Sequence, residues 1–403
     1  MKKPRVGVIG LGNRGTALLT TCLLQDDGIE IAMICDTLEE RRAQWLSLIA
    51  EAGRSTPVAV SDYKELLASP DIDCVMLTTS WDSHINLACE AMRAGKYVAM
   101  EVGGAYSIED CWKLVRTHEE TGVHCMFMEN CCFFRNEMLI LNMAQQGVFG
   151  DIVHCRGGYL HDLRDEVAFG RENHHYRFRN YLMRNAENYP THQLGPIAQL
   201  LGVNRGNRML TLVSVASRAA GLRAYLEEHK GADYDATKWD FRQGDIVTTI
   251  IKCAGGETIT LTLDTTLPRS YSRDFQVHGT KAMYNEDNNS LFVDKEHGDF
   301  HFDWRGHWNN LDDYRDKYEH PLWKEYIAQG QKEGHDGSDW LVLQTFFDAV
   351  RKGAPAPIDV YDAAVWMSIT CLSEQSISMG GTPMAIPDFT NGKWLREREC
   401  RFS

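Results

Sequence analysis

Three glycines at fixed spacing follow the first apolar run of the chain. Residues 10–15 read Gly-Leu-Gly-Asn-Arg-Gly, directly after the apolar run 5–9 and before a helical pattern over residues 16–24. In this context Gly10 permits a tight turn, Gly12 lets the backbone approach a pyrophosphate, and Gly15 allows close packing of the helix. The pattern predicts a dinucleotide-binding loop, with a purely structural glycine turn as the alternative.

An acidic residue ends the next apolar run. Asp36 follows residues 30–35 and lies about twenty residues beyond the glycines, where a carboxylate accepts hydrogen bonds from the adenosine ribose. A carboxylate at this position repels a 2′-phosphate. The sequence therefore predicts NAD rather than NADP as the cofactor.

The first third of the chain supplies the elements that would position these residues. Short apolar runs alternate with helical patterns, which is typical of βαβ units and a parallel sheet. We expect a Rossmann domain over residues 1–128. The expected strands are 5–9, 30–35, 74–79, 97–100 and 123–128, and the clearest helices are 85–92 and 108–122.

The pattern changes after residue 150. Residues 246–253 and 258–264 alternate polar and apolar side chains around Gly255-Gly256, which predicts a hairpin in a sheet with one buried and one open face. Helical patterns return near residues 343–351 and 363–378. The fold class is therefore α/β for the N-terminal half, followed by an α+β substrate-binding domain over residues 129–403 with a mostly antiparallel open sheet.

Composition limits the possible partners and locations. The net charge of −14 disfavours nucleic acid and anionic membranes, and no apolar stretch is long enough to span a bilayer. Twelve cysteines lie at scattered spacings without a C-x-x-C pair, which argues against structural disulfides and zinc. The scattered histidines likewise show no metal-binding spacing, so we expect no metal. Without an apolar leader before the first strand, we expect a cytoplasmic protein, unless an upstream export signal has been removed.

Beyond the glycine loop the chain resembles the glucose-fructose oxidoreductase and inositol dehydrogenase superfamily. The resemblance lies in Thr78-Thr79, in residues 81–84 and in Glu101. It implies a Rossmann domain followed by an α/β domain whose sheet carries the substrate site. However, Glu101-Val102-Gly103 replaces the usual Glu-Lys-Pro, so the lysine that commonly assists hydride transfer has no counterpart.

Residues 189–196 read Tyr-Pro-Thr-His-Gln-Leu-Gly-Pro. Together with that departure, they narrow the resemblance to NAD-dependent glycoside hydrolase family 109, the α-N-acetylgalactosaminidase type. Residues 158–164, 267–273 and 320–323 also match. Carried over residue by residue, the resemblance implies NAD contacts from Asn13, Arg14, Asp36, Trp81, His84, Glu101, Val102, Asn130 and Tyr189. It implies a sugar pocket lined by Tyr159, Arg177, Tyr189, His192 and Tyr271.

A glycosidase of this type uses its cofactor without consuming it. Oxidation of the sugar C3 hydroxyl to a ketone makes the C2 proton removable; elimination, addition of water at C1 and re-reduction at C3 complete the cycle. We assign the C3 proton to His192, because an unperturbed histidine titrates near neutral pH, with Tyr189 orienting it. Tyr159 is the candidate C2 base if a cation such as Arg177 lowers its pKa. A structural His192 and a Tyr159 that only clamps substrate stay open.

A further histidine lies in a loop near residue 335. The resembling family carries Gly-Gly-His-Gly-Gly, whereas this chain has Glu333-Gly334-His335-Asp336-Gly337. By resemblance, His335 serves the leaving group or the incoming water. The two acids could act as acid or base, and the alternative is a solvated loop before the helix at Trp340.

Three functions compete. The first is an NAD-dependent glycosidase acting on a small-molecule glycoside. The second is an NAD-dependent sugar or polyol dehydrogenase that releases NADH, which the missing lysine disfavours. The third is a non-catalytic ligand-binding protein. Open-faced sheets in the superfamily often pair between subunits, so we expect a homo-oligomer.

Overall fold

The computed structural model describes residues 3–173, 175–297, 304–330, 337–396 and 402. The chain divides into two compact units. The first unit is built from residues within 1–137 and 321–364 together with Phe402, and the second from residues within 138–320 and 365–399. This division differs from the expected boundary at residue 128, because residues 321–364 return to the N-terminal unit. The physical reason is a set of long-range contacts, such as the hydrogen bond of 2.9 Å from the Trp323 indole to the Phe133 carbonyl.

The first unit contains a six-stranded sheet in which every pairing is parallel. Its order is β3-β2-β1-β4-β5-β6. The strands are β1 (Arg5–Ile9), β2 (Glu30–Cys35), β3 (Val58–Val60), β4 (Cys74–Leu77), β5 (Tyr97–Met100) and β6 (Cys125–Phe127). This is the doubly wound order, in which ligands bind outside the carboxyl ends of the strands where the order reverses, here between β1 and β4.

The Rossmann prediction is thus confirmed, although β3 was missed because its apolar run, Val58-Ala59-Val60, has only three residues. The central strands are apolar along their whole length because helices cover both faces of the sheet. The helices are α1 (Asn13–Thr21), α2 (Glu39–Glu51), α3 (Tyr63–Ala68), α4 (Trp81–Arg93) and α5 (Ile108–Thr121).

The second unit is organised around an eight-stranded mixed sheet, ordered β13-β12-β11-β7-β10-β9-β8-β14. Among the described strands of this second sheet, only β7 and β10 pair in parallel. The strands are β7 (Ile152–Leu160), β8 (Met209–Ala216), β9 (Ile246–Cys253), β10 (Thr258–Asp264), β11 (Gln276–Gly279), β12 (Ala282–Asn285), β13 (Ser290–Val293) and β14 (Met384–Ala385).

The remaining helices complete both units. They are α6 (Arg135–Gln145), α7 (Arg164–Ala168), α8 (Arg177–Met183), α9 (Thr191–Leu200), α10 (Gly221–Lys230), α11 (Arg315–Tyr318), α12 (Pro321–Ala328), α13 (Ser338–Lys352) and α14 (Val360–Ser378). Among the described residues, no helix combines the length and apolar character needed to cross a bilayer.

The predicted hairpin is confirmed by β9 and β10, which pair antiparallel from Lys252 opposite Thr258 to Ile246 opposite Asp264. Side chains of β9 alternate between buried and exposed positions, as expected for a sheet with one open face. On the buried face, Gly157 of β7 allows α9 to lie close to the sheet. A Cβ at Gly157 would lie 2.8 Å from the Cβ of Gln193, so only a glycine permits this approach.

Candidate active site

The glycine loop of the first unit has the geometry that a dinucleotide needs. Gly10 has φ +95°, and a Cβ there would lie 2.8 Å from the Thr78 carbonyl. No side chain caps the start of α1 at Gly12, so its first amides keep their donors for a ligand. A Cβ at Gly12 would meet only the Arg41 guanidinium at 3.5 Å. The open space and the uncapped helix fit a pyrophosphate.

Asp36 lies beside this loop and has partners that the sequence did not indicate. One carboxylate oxygen accepts a hydrogen bond of 2.8 Å from the Leu11 amide, and the other accepts one of 2.9 Å from the Leu38 amide. The Arg41 guanidinium lies 3.6 Å from the same carboxylate. Asp36 therefore also holds the glycine loop against the end of β2. Each oxygen retains a second lone pair, so its ribose contact stays a prediction.

The glycine that stands in place of the proline of Glu-Lys-Pro has a structural explanation in Trp81. The backbone of Gly103 lies against the Trp81 indole, and a Cβ at position 103 would come within 2.5 Å of the indole Cδ1. Both a proline and an alanine at this position would require Trp81 to move. The Val102 amide donates a hydrogen bond of 3.0 Å to the Glu101 carboxylate, which fixes the turn after β5.

His84 is buried on α4, one turn after Trp81. Its Nε2 lies 2.9 Å from the Thr79 carbonyl oxygen, and it is 2% exposed. Burial lowers the pKa of His84 to about 4. The imidazole is therefore neutral at pH 7, and its single proton lies on Nε2, which donates to the Thr79 carbonyl oxygen.

Arg14, Glu101 and Asn130, three of the implied NAD contacts, belong to one hydrogen-bonded network. Arg14 Nε donates to Glu101 at 2.7 Å, and both Arg14 and Asn130 donate to Asp339 of α13. Asn13 is the first residue of α1, beside Arg14. The sequence analysis assigned Asp339 no role. A contact between residues so far apart in the chain leaves no local signal.

The second unit brings together the aromatic residues implied for the sugar pocket. Tyr159 lies near the end of β7, Tyr189 in the segment before α9, and His192 in the first turn of α9. The ring centroids of Tyr159 lie 4.5 Å from Tyr189 and 5.5 Å from His192, and those of Tyr189 and His192 are 4.7 Å apart. The Tyr189 hydroxyl is 3.4 Å from His192 Nε2. A base and two phenols thus share one cluster.

Arg177 supplies the positive charge that this cluster needs. Its guanidinium carbon lies 5.2 Å from the centroid of the Tyr189 ring. Burial opposes the charge, but Tyr159, Tyr176 and Glu166 keep the pKa of Arg177 raised. Glu166 of α7 accepts from Arg177 at 3.0 Å and lies 3.3 Å from His175 Nε2. The sequence analysis missed Glu166, which forms an ion pair with the Arg177 guanidinium.

A second histidine contacts the candidate C2 base. His161 Nδ1 lies 3.1 Å from the Tyr159 hydroxyl, and the His161 ring is 5.0 Å from Tyr271. Burial lowers the pKa of His161, with Arg177 adding to the effect. The sequence analysis quoted this segment but assigned His161 no role. The available signal was its position directly after β7, two residues from Tyr159. Tyr271 lies beside His161 and is half exposed.

The segment that carries Tyr189 is fixed from behind. Gln243 accepts a hydrogen bond from the Ala186 amide at 3.2 Å and donates to the Ala186 carbonyl at 3.0 Å. The Glu187 amide donates to Ser373 Oγ of α14 at 2.9 Å. The Glu187 carboxyl is fully buried and accepts from Gln193 at 3.3 Å. Burial raises its pKa to about 8. These hydrogen bonds hold in place the segment that leads to Tyr189 and His192.

Three residues discussed in the sequence analysis, Glu333, His335 and Asp336, lie outside the described residues.

Two family models match the chain in succession. Residues 4–129 match the model described as an oxidoreductase family with an NAD-binding Rossmann fold. Residues 133–396 match the model described as the C-terminal domain of glycosyl hydrolase 109.

Similar proteins cover nearly the whole chain. An alpha-N-acetylgalactosaminidase from Tannerella forsythia is 36% identical over 421 residues, spanning 98% of this chain and 88% of its own length. A glycosyl hydrolase family 109 protein from Stenotrophomonas maltophilia is 37% identical, spanning 98% and 91% respectively.

Solved structures share the fold at much lower identity. A levoglucosan dehydrogenase in complex with NADH has a TM-score of 0.71 at 19% identity, covering 96% of this chain and 100% of its own. An oxidoreductase from Agrobacterium radiobacter in complex with NAD+, L-tartaric acid and magnesium has a TM-score of 0.67 at 16% identity, covering 96% and 99%.

Proposed function

The chain belongs to glycosyl hydrolase family 109 and is an NAD-dependent glycosidase, and on that premise we propose that it cleaves an N-acetylgalactosaminide or a related glycoside by transient oxidation at C3. The observation that carries the proposal is the cluster of Tyr159, Tyr189 and His192. Its rings lie within 4.5–5.5 Å of one another, and a hydroxyl faces His192 Nε2.

His192 takes the proton of the C3 hydroxyl. Its Nε2 faces the Tyr189 hydroxyl at 3.4 Å, which orients the ring. Bound NAD would accept a hydride from C3 and return it at the end of the cycle. The glycine loop and the network of Arg14, Glu101 and Asn130 would hold that cofactor.

Tyr159 removes the C2 proton, which becomes acidic when C3 is a ketone. The positive charge of Arg177 interacts with the Tyr159 phenol and stabilises its anionic form. His161 contacts the same hydroxyl at 3.1 Å and provides a route by which the proton can leave. Elimination at C1 then releases the aglycone, and water adds in its place.

The proposal is tested with purified protein and a panel of nitrophenyl α- and β-glycosides, including those of N-acetylgalactosamine. Nitrophenol and NADH absorbance are followed together. A cofactor-regenerating glycosidase releases nitrophenol without net NADH, whereas stoichiometric NADH would identify a dehydrogenase. Silence in both channels across the panel would favour a ligand-binding protein.

The elimination step leaves an isotopic record. Because the C2 hydrogen is removed and replaced from solvent, hydrolysis in D2O places deuterium at C2 of the released sugar. Mass spectrometry and proton NMR of the product measure it. A hydrolysed product without deuterium at C2 would contradict the elimination and leave a direct displacement.

Replacing His192 by Ala tests the assigned proton acceptor. We expect nitrophenol release to fall by at least 10²-fold, the lower range for loss of general-base catalysis. The matched control is His229→Ala, which removes an exposed histidine of α10 whose Nδ1 contacts only the Tyr225 carbonyl at 2.8 Å. Retained activity in His192→Ala would refute its role.

A further inference from the structure

A buried carboxylate joins the C-terminal part of the first unit to the implied NAD contacts. Asp339 lies in the first turn of α13 and is 2% exposed. Its two oxygens accept hydrogen bonds from both terminal nitrogens of Arg14, each at 2.8 Å. One of them also accepts from Asn130 Nδ2 at 3.0 Å. This is the paired geometry in which a carboxylate fixes a guanidinium most firmly.

Among the described residues, the ion pairs of this network join more negative than positive charge. Arg14 also donates to Glu101 at 2.7 Å, so two carboxylates surround one guanidinium. Burial opposes the charge on Arg14, but Glu101 and Asp339 keep its pKa raised. Glu101 follows β5 and Asn130 follows β6, at the carboxyl ends of parallel strands where ligands of this fold bind.

Asp339 is not needed simply to attach α13. Farther along the helix, Gln344 donates to the Asp26 carboxylate at 2.7 Å, and Arg351 donates to the Gly28 carbonyl at 3.2 Å. Both contacts hold α13 to the segment that leads into β2. The Asp339 carboxylate is thus available for a task other than helix docking.

We infer that Asp339 is a positioning residue for NAD, which holds Arg14 and Asn130 in place and whose charge favours bound NAD+ over NADH. The nicotinamide ring of NAD+ is positive and that of NADH is neutral, so excess negative charge nearby stabilises the oxidised form. The inference deepens the proposed function, because a hydrolase that regenerates its cofactor must begin each turnover with NAD+.

The test measures cofactor binding without any glycoside. Asp339→Asn keeps the shape of the side chain and removes its charge. We expect NAD+ affinity to weaken about tenfold more than NADH affinity, as measured by calorimetry for both cofactors. The control is Asp348→Asn on the same helix, which removes the exposed carboxylate that pairs with Arg351 at 2.7 Å. It should bind both cofactors like the unmodified protein.

A second variant separates geometry from charge. Asp339→Glu keeps the charge but moves the carboxylate, so both cofactors should bind more weakly while the preference for NAD+ persists. Unchanged preference in Asp339→Asn overturns the inference. If Asp339→Asn does not fold, the inference is overturned when Asp339→Glu binds both NAD+ and NADH with the affinities of the unmodified protein. Since no glycoside is present, these outcomes are independent of whether the protein hydrolyses one.

Discussion

Tyr159 and His192, the two proposed proton-transfer residues, are supported by different kinds of neighbour. His192 faces a phenol, whereas Tyr159 faces His161 and interacts with the charge of Arg177. The sequence could predict the cluster members, because their motif is local and resembles a known family. It could not predict Glu166 or Asp339, because neither lies at a characteristic spacing from its partners, and those of Asp339 are also distant in sequence.

The buried carboxyl group of Glu187 makes the stability of the protein depend on pH. Burial raises its pKa from 4.5 to about 8, so between these values the native state holds a proton that the unfolded state has lost. The free energy of unfolding should therefore fall as pH rises through this window, by up to about 1.4 kcal/mol per pH unit. Above about pH 8 both states are ionised and this contribution is flat.

Glu187→Gln should remove that dependence. Urea unfolding at pH 5, 6, 7 and 8 gives the slope of the unfolding free energy against pH. In the variant we expect this slope to become less negative, by the contribution of close to one proton. Glu228→Gln, at an exposed position of α10, is the control and should leave the slope unchanged. Equal slopes for Glu187→Gln and the unmodified protein would mean that Glu187 is already ionised when folded.

At the scale of elements, the turn after β5 and the start of α4 are fitted to each other. The sequence analysis noted that Gly103 stands where the superfamily has proline, but it had no reason for the change. The reason is steric, since the Trp81 indole occupies the space of the missing side chain. Only the structure reveals this fit, because the sequence does not show that Trp81 and Gly103 are in contact.

Gly103→Ala should destabilise the protein by about 1–3 kcal/mol, the usual cost of overpacking a closed site. In a Trp81→Ala background the same change should cost much less, because the added methyl group then has space. Urea unfolding of the four proteins gives the coupling energy. Additive effects would show that Trp81 is not what excludes a side chain at position 103.

The cysteines of the described residues lie in the protein interior. Of the twelve in the chain, eleven fall within the described residues and all eleven are buried. Burial raises the pKa of Cys22 and of Cys35 to about 11, so these thiols are protonated at neutral pH. The sequence analysis took their scattered spacing as an argument against structural disulfides and zinc.

A thiol titration tests this arrangement. With a disulfide reagent at pH 7.5, the native protein should expose at most one reactive thiol, Cys400, which lies outside the described residues. After denaturation all twelve should react. Several rapidly reacting thiols in the native protein would show that the buried cysteines become accessible.

The bond between Arg14 and Asp339 joins residues 325 positions apart. Ribosomes add about 5–20 residues per second, so Asp339 emerges on the order of tens of seconds after Arg14. Throughout that interval the nascent sheet of the first unit exists without α13, and Arg14 and Asn130 lack their shared acceptor. Tyr159 on β7 is likewise synthesised before β10, the parallel neighbour of that strand. A growing chain therefore completes the hydrogen-bonded network of Arg14, Asn130 and Asp339 late in translation, when every described strand except β14 has been synthesised.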